Sequence, residues 1–193
     1  MESKDIFIFG DSLVFGMFDE DKGGWVNRLR LKLEELDPNK QSCIFNLGIP
    51  GNTTTDLVKR FDIECSIRAP KADNLIIIFG IGANDVKKIY TGESTEEIFK
   101  ENIHTLIKDA KKYTNKIAFI GFIKADENIR EEYKSERMIK LDNTIKEICE
   151  KEDVTYIYMY DAVEIKDLTD GLHPNSIGHQ KMYEKVFEIV KDM

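Results

Sequence analysis

The sequence predicts a three-layer α/β fold built on a parallel sheet, and three observations carry that prediction. Five short apolar runs have strand character, segments of helical period lie between them, and some of the runs are apolar on both faces. Strands in the middle of a parallel sheet are covered by helices on both sides, so they read as continuous hydrophobic runs. Strand followed by helix, five times over, is the pattern of such a sheet. No internal repeat, low-complexity tract or linker interrupts the 193 residues, which predicts one continuous domain over 1–193.

Each element follows from its own pattern. Asp5–Phe9 is the first strand, and Trp25, Leu29, Leu33 and Leu36 form the stripe of the first long helix. Cys43–Leu47 is the second strand, followed by a helix of less regular spacing from Thr53 to Ile67. Leu75–Phe79 is the third, and its Ile76-Ile77-Ile78-Phe79 run marks a central strand. Phe99, Ile103, Leu106, Ile107 and Ala110 share one helix face, preceded by Ser94 with Glu97 three residues on, the spacing of a capping box. Ile117–Ile123 is the fourth strand, and Met138, Leu141, Ile145 and Ile148 stripe the next helix. Val154–Met159 is the fifth strand, and Met182, Val186 and Ile189 stripe the last helix.

Composition narrows the function classes. The chain is 41% hydrophobic and 33% charged, with a net charge of −8 and both signs interspersed. A nucleic-acid binder should carry a basic face, and an anionic membrane surface would call for a polybasic patch; neither is present. No run approaches the roughly 20 apolar residues of a membrane span. Met1–Asp5 is polar and Ile6–Phe9 is too short for a secretory signal core, so a cytoplasmic protein is expected. Cys43, Cys65 and Cys149 are odd in number, widely spaced and in no CxxC pair, which predicts reduced, buried thiols. No cofactor or metal is expected: the Asp-x-x-His of Asp170 and His173 has no second cluster of ligands to complete a site.

In parallel sheets, ligands bind beyond the carboxyl ends of the strands, so the loops there should hold the chemistry. They read Gly10-Asp11-Ser12-Leu13, Asn46-Leu47-Gly48-Ile49-Pro50-Gly51-Asn52-Thr53, Gly80-Ile81-Gly82-Ala83-Asn84-Asp85 and Asp170-Gly171-Leu172-His173-Pro174. Each alone is ordinary turn chemistry. Together they contain every group that acyl transfer requires. A serine hydroxyl needs a base to take its proton. Histidine has an unperturbed pKa of about 6.5 and suits that task. An aspartate can hold the imidazole in one tautomer, and backbone or amide N–H groups can receive the oxyanion. His104 is expected to face solvent and His179 to pack or hydrogen-bond.

The blocks GDSL at 10–13, NLGIPGNT at 46–53, GAND at 82–85 and DGLHP at 170–174, in that order, resemble the SGNH hydrolases, also called GDSL esterases and lipases. The resemblance implies a flavodoxin-like α/β/α sandwich, its five parallel strands ordered 2-1-3-4-5. It implies Ser12 as nucleophile and oxyanion donor, His173 as general base and Asp170 as its orienting partner. It also implies Gly51 N–H and the Asn84 amide as the remaining oxyanion donors, with Gly48 as a second candidate glycine. One departure is visible: Ala83 stands where the family often has glycine, which would be strained only at positive φ. No GxSxG elbow occurs, so the nucleophile is not that of the α/β-hydrolases.

The expected partner is a small-molecule ester or thioester, and the oligomeric state is not encoded in any pattern. Phe15, Met17, Phe18 and Trp25 are candidates for an acyl pocket, with Trp25 better suited to be the first core residue of its helix. Gly16–Gly24 and Ile123–Lys134 are the loops long enough to shape access, and an open site would favour short acyl groups, including sugar acetates. The alternatives are a catalytically silent binding module on the same fold, a lysophospholipase or thioesterase for longer acyl chains, and a flavodoxin-like nucleotide or phosphoryl-signalling domain. The last lacks a phosphate-cradling lysine loop.

Overall fold

A strand presents successive side chains to opposite faces, so a doubly covered sheet divides its apolar residues into two sets. In the computed structural model, which describes residues 3–37, 42–72 and 74–193, the strands do this in strict alternation. The chain runs β1 (Asp5–Gly10), α1 (Ser12–Phe15), α2 (Trp25–Leu36), β2 (Cys43–Gly48), α3 (Thr54–Arg68) and β3 (Ile76–Gly80). It continues through α4 (Ala83–Tyr90), α5 (Glu96–Ala110), β4 (Ile117–Ile120), α6 (Ser135–Glu152), β5 (Thr155–Ile157) and α7 (Ser176–Val190). The five strands form one sheet of order β2-β1-β3-β4-β5, parallel at every pairing. This is the predicted architecture.

Phe7, Phe9, Ile77, Phe79 and Phe119 face one layer, where they meet Leu57 and Phe61 of α3, Val86 of α4, Phe99 and Ile103 of α5, and Leu141 and Ile145 of α6. Phe79 lies against Phe119 with ring centroids 4.7 Å apart. Ile6, Ile8, Ile76, Ile78 and Ile120 face the other layer, against Val14 of α1, Trp25 and Leu29 of α2, and Val186 and Val190 of α7. Burying such a side chain completely contributes ~1.5–3 kcal/mol, so the two layers hold the sheet from both sides.

The structure departs from the sequence reading at several places, each with a local cause. β4 ends at Ile120 rather than Ile123, because the Asp142 carboxylate takes the Phe122 N–H at 2.8 Å in place of a ladder carbonyl. β5 is shorter than Val154–Met159 and lies at the sheet edge. The cap of α5 is Thr95, whose hydroxyl accepts the Ile98 N–H, not Ser94. In α7 the buried line is Met182, Val186, Val190, and Ile189 is turned outward. Cys65 and Cys149 are buried as expected, and burial pushes both thiols up to about 12. Cys43 is exposed instead, because it opens the edge strand β2.

Candidate active site

The strand order reverses around β1, with β2 on one side and β3 on the other, and a crevice opens at such a point beyond the carboxyl ends. Ser12 follows β1 as the first residue of α1, one turn of helix started by Asp11, whose side chain accepts the Leu13 N–H at 2.9 Å. Gly48, at the end of β2, lets α1 sit this close: a Cβ there would lie 2.4 Å from the Phe15 nitrogen.

The Ser12 hydroxyl meets His173 Nε2 at 2.8 Å across 161 positions of sequence. His173 Nδ1 meets the Asp170 oxygens at 3.1 and 3.0 Å. A carboxylate can only accept, so Nδ1 carries the ring proton, and the Nε2 lone pair is left to accept from the Ser12 O–H. Partial burial works against the charged Asp170. The His173 N–H, the imidazole and the Leu172 N–H outweigh it and hold this carboxyl down at about 2. Ser12 and His173 are both largely covered, and Phe18 sets its ring edgewise against the imidazole at 5.5 Å.

The candidate oxyanion donors divide clearly. Gly51, at φ 83°, has an N–H with no acceptor among the described residues, and so does Ser12. The Gly48 N–H is taken by Asn46 Oδ1 at 3.0 Å, which leaves Gly51 as the glycine with a donor to spare. Asn84 spends one amide hydrogen on the Asn52 carbonyl at 3.0 Å, which anchors the amide and leaves its second hydrogen. Ala83 is the first residue of α4, and the left-handed position is Gly82 at φ 123°; alanine is therefore unstrained where the sequence placed it.

Much of the support was invisible in the sequence. Arg60 on α3 donates to the Gly10 and Leu47 carbonyls at 3.2 and 2.9 Å and to Asn52 Oδ1 at 2.9 Å, tying two strand ends to the Gly51–Asn52 turn. Beneath the 16–24 loop, the buried Asp19 accepts the N–H groups of Asp21, Lys22 and Gly24 and is paired with the buried Arg28. His179 is fully buried, as a packing residue should be, and its Nε2–H donates to the Met17 carbonyl at 3.0 Å. His104 is exposed on α5. Trp25 is fully buried and donates to the Leu13 carbonyl, so it belongs to the core and to the support of α1 rather than to an acyl pocket.

A profile of the GDSL-like lipase/acylhydrolase family matches residues 8–181. The chain belongs to this family. No curated protein matches its sequence. Among solved structures it resembles the lipase/acylhydrolase from Enterococcus faecalis, with a TM-score of 0.80, 24% identity, and 98% of this chain and 96% of that one covered. It resembles LAE5, an α/β-hydrolase enzyme from the metagenome of Lake Arreo, with a TM-score of 0.80, 20% identity, and 99% and 97% covered. It also resembles a catalytic mutant of Axe2, an acetylxylan esterase from Geobacillus stearothermophilus, with a TM-score of 0.79, 19% identity, and 97% and 94% covered. These likenesses agree with the fold described above, and the family is one of ester hydrolases. No helix among the described residues is long and apolar enough to cross a membrane.

Two buried carboxylates, Asp11 next to Ser12 and Asp85 near Asp11, belong to this GDSL-family site. Burial pushes Asp11 up to about 7, and the nearby Asp85 charge adds to the rise against the Leu13 hydrogen bond; Asp85 itself is raised to about 6 by its own burial. Between the free value of 3.8 and about 7, folded Asp11 keeps a proton that the unfolded chain releases. The unfolded state therefore binds fewer protons, and this residue's contribution to stability falls as pH rises through that window. Asp11→Asn removes the ionisation and keeps an acceptor for Leu13. Its melting temperature is expected to exceed that of the wild type at pH 8, with the difference shrinking on acidification and gone below about pH 4. Thermal melts of both proteins across that range check it, and a difference independent of pH would contradict it.

Proposed function

We propose that this GDSL-family chain hydrolyses a carboxylic ester or thioester through an acyl-enzyme formed on Ser12. The observation that carries the reading is the unbroken relay from the Ser12 hydroxyl through His173 to Asp170, over 2.8 and 3.0 Å. In the first step the Ser12 oxygen bonds to the substrate carbonyl carbon while its proton passes to His173 Nε2, and Asp170 stabilises the resulting imidazolium. The carbonyl oxygen becomes an oxyanion and receives the Ser12 N–H, the Gly51 N–H and the free hydrogen of the Asn84 amide. His173 then returns the proton to the leaving alcohol or thiol as the carbon–oxygen or carbon–sulfur bond breaks. Water, deprotonated by the same imidazole, releases the acid and restores the hydroxyl. A silent binding module has no need of this full set.

Substrate size is the finer part of the proposal. Among the described residues every long helix belongs to the sandwich and none forms a separate lid domain, which supports short acyl groups such as the acetates of sugars. The likeness to an acetylxylan esterase makes acetylated xylo-oligosaccharides sensible substrates to include. Exposed Phe15, Phe18 and Ile49 near the serine support a second reading, in which a longer acyl chain lies along this apolar rim. A p-nitrophenyl ester series from acetate to palmitate, run beside acetylated sugars and acyl thioesters, separates the two. The expected maximum in kcat/KM lies at acetate or butyrate, and a maximum at long chains would establish the second reading. A fluorophosphonate should label the wild type at Ser12; neither label nor turnover on any of these substrates would refute the function.

A further inference from the structure

The loop between β4 and α6 does more than border the site. It grips the turn that carries Asp170 and His173 at three points. The Asp126 N–H donates to the Gly171 carbonyl at 2.7 Å, Arg130 Nε donates to the Asp170 carbonyl at 3.0 Å, and Arg130 Nη2 donates to Asp170 Oδ2 at 2.6 Å. Gly171, at φ 83°, leaves the room for this contact, since a Cβ there would meet Ile129 at 3.2 Å and Arg130 at 3.4 Å. Arg130 is itself anchored, its N–H bonded to the Asp126 carbonyl at 2.8 Å. One guanidinium thus holds both the main chain and the carboxylate of a single residue.

We infer that Arg130 is a positioning residue for the reaction, acting through Asp170 to set both the aim of the His173 imidazole and the pH at which it works as a base. The inference rests on the proposed role of His173. Asp170 divides its two oxygens. Oδ1 accepts the Leu172 and His173 backbone N–H groups, Oδ2 accepts from Arg130, and the ring Nδ1 lies between the two at 3.1 and 3.0 Å, so Oδ2 is the oxygen that no backbone N–H holds. A planar fork fixes that direction in a way a single-point donor does not.

The charge has a second effect. An imidazolium at His173 is stabilised by the Asp170 carboxylate, and a permanent cation on the same carboxylate offsets part of that attraction. Removing that cation should favour the imidazolium, and this is the effect that a comparison with Arg130→Gln reads. The other titratable groups coupled to this cluster are Asp11 and Asp85 beyond the serine, Tyr133 and Glu132 on the Arg130 loop, and His179 on α7. None of them hydrogen-bonds the side chain of Arg130 or His173.

The test compares wild type, Arg130→Gln and Arg130→Lys by pH–rate profile, after melts show that each variant is folded. For Arg130→Gln the acid limb of kcat/KM is expected to move up by about 0.5–1 pH unit, as removal of a charge at this range implies. Its plateau kcat should fall about tenfold with KM little changed. Arg130→Lys keeps the charge without the fork, so it should retain the wild-type acid limb while losing part of kcat. A fall in kcat with an unmoved acid limb in Arg130→Gln would mean a merely structural contact and would overturn the inference. A ¹H–¹⁵N titration of the His173 ring in a Ser12→Ala background reads the same shift without turnover. An unmoved midpoint there, on adding Arg130→Gln, also overturns it, whereas absence of esterase activity in the wild type would count against the proposed function instead.

Discussion

Ser12→Ala is expected to lower kcat for p-nitrophenyl acetate by about 10⁴–10⁶-fold while leaving the melting temperature close to that of the wild type. The reason lies in the division of labour at the site. In the proposed mechanism the Ser12 hydroxyl, 2.8 Å from His173 Nε2, forms the acyl bond, and removing it leaves His173 with nothing to deprotonate but water. The serine side chain is small and sits at the first residue of a four-residue helix whose cap is Asp11, so the fold does not depend on it. His173→Ala should cost nearly as much, and the double variant little more than either alone, because the pair acts as a unit. Asn84→Ala should cost less, about 10²–10³-fold, since it removes one of the three proposed oxyanion donors. Steady-state kinetics on the four variants check the whole pattern. Equal slow rates for wild type and Ser12→Ala would end the nucleophile assignment.

Arg28→Ala should destabilise the protein by about 3–5 kcal/mol, seen as a fall in melting temperature on the order of 10 °C. Asp19 is held down at about 2: burial opposes its ionisation, but hydrogen bonds from Ser176, Gly24 and Lys22 and the Arg28 charge overcome that opposition. Its side chain is fully covered, and that of Arg28 nearly so. Deleting the guanidinium leaves a buried carboxylate without its countercharge, which is the costly way to break such a pair. Arg28 also donates to Gln180 Oε1 and the Ser176 carbonyl, so the change loosens α7 beside His173 as well as the 16–24 loop. Arg28→Lys keeps the charge and should recover part of the loss. If calorimetry finds Arg28→Ala as stable as the wild type, the pair contributes nothing to this loop.

The elements were legible where one physical requirement dominated the local sequence. Phe99, Ile103, Leu106, Ile107 and Ala110 are all buried, because a helix on a sheet must present one apolar stripe. Ile76 to Phe79 are fully buried because a central parallel strand is covered on both faces. Errors fell at ends and edges, where several partners compete. Thr95 rather than Ser94 caps α5, and the carboxylate of Asp142, 20 positions away, takes over at the end of β4. Cys43 lies in an apolar run yet is exposed, because nothing in its neighbourhood of the chain tells an edge strand from a central one.

For the candidate site, the sequence by itself determined which chemical groups would stand at the carboxyl ends of the strands: Ser12, Gly51, Asn84, Asp170 and His173 each lie in a loop that a parallel sheet must send to that edge. Only the tertiary structure decided how those groups are held. The Ser12–His173 contact spans 161 positions, the Gly48 N–H is spent on Asn46, and Arg130 reaches Asp170 across 40. Asp19 is held down by hydrogen bonds and the Arg28 charge against its own burial, whereas burial pushes Asp11 and Asp85 up, and no local pattern records either environment. The physical reason is one of range. Periodicity and turn chemistry act over a few residues and mark the loops, whereas hydrogen bonding and desolvation depend on which distant segments packing brings into contact.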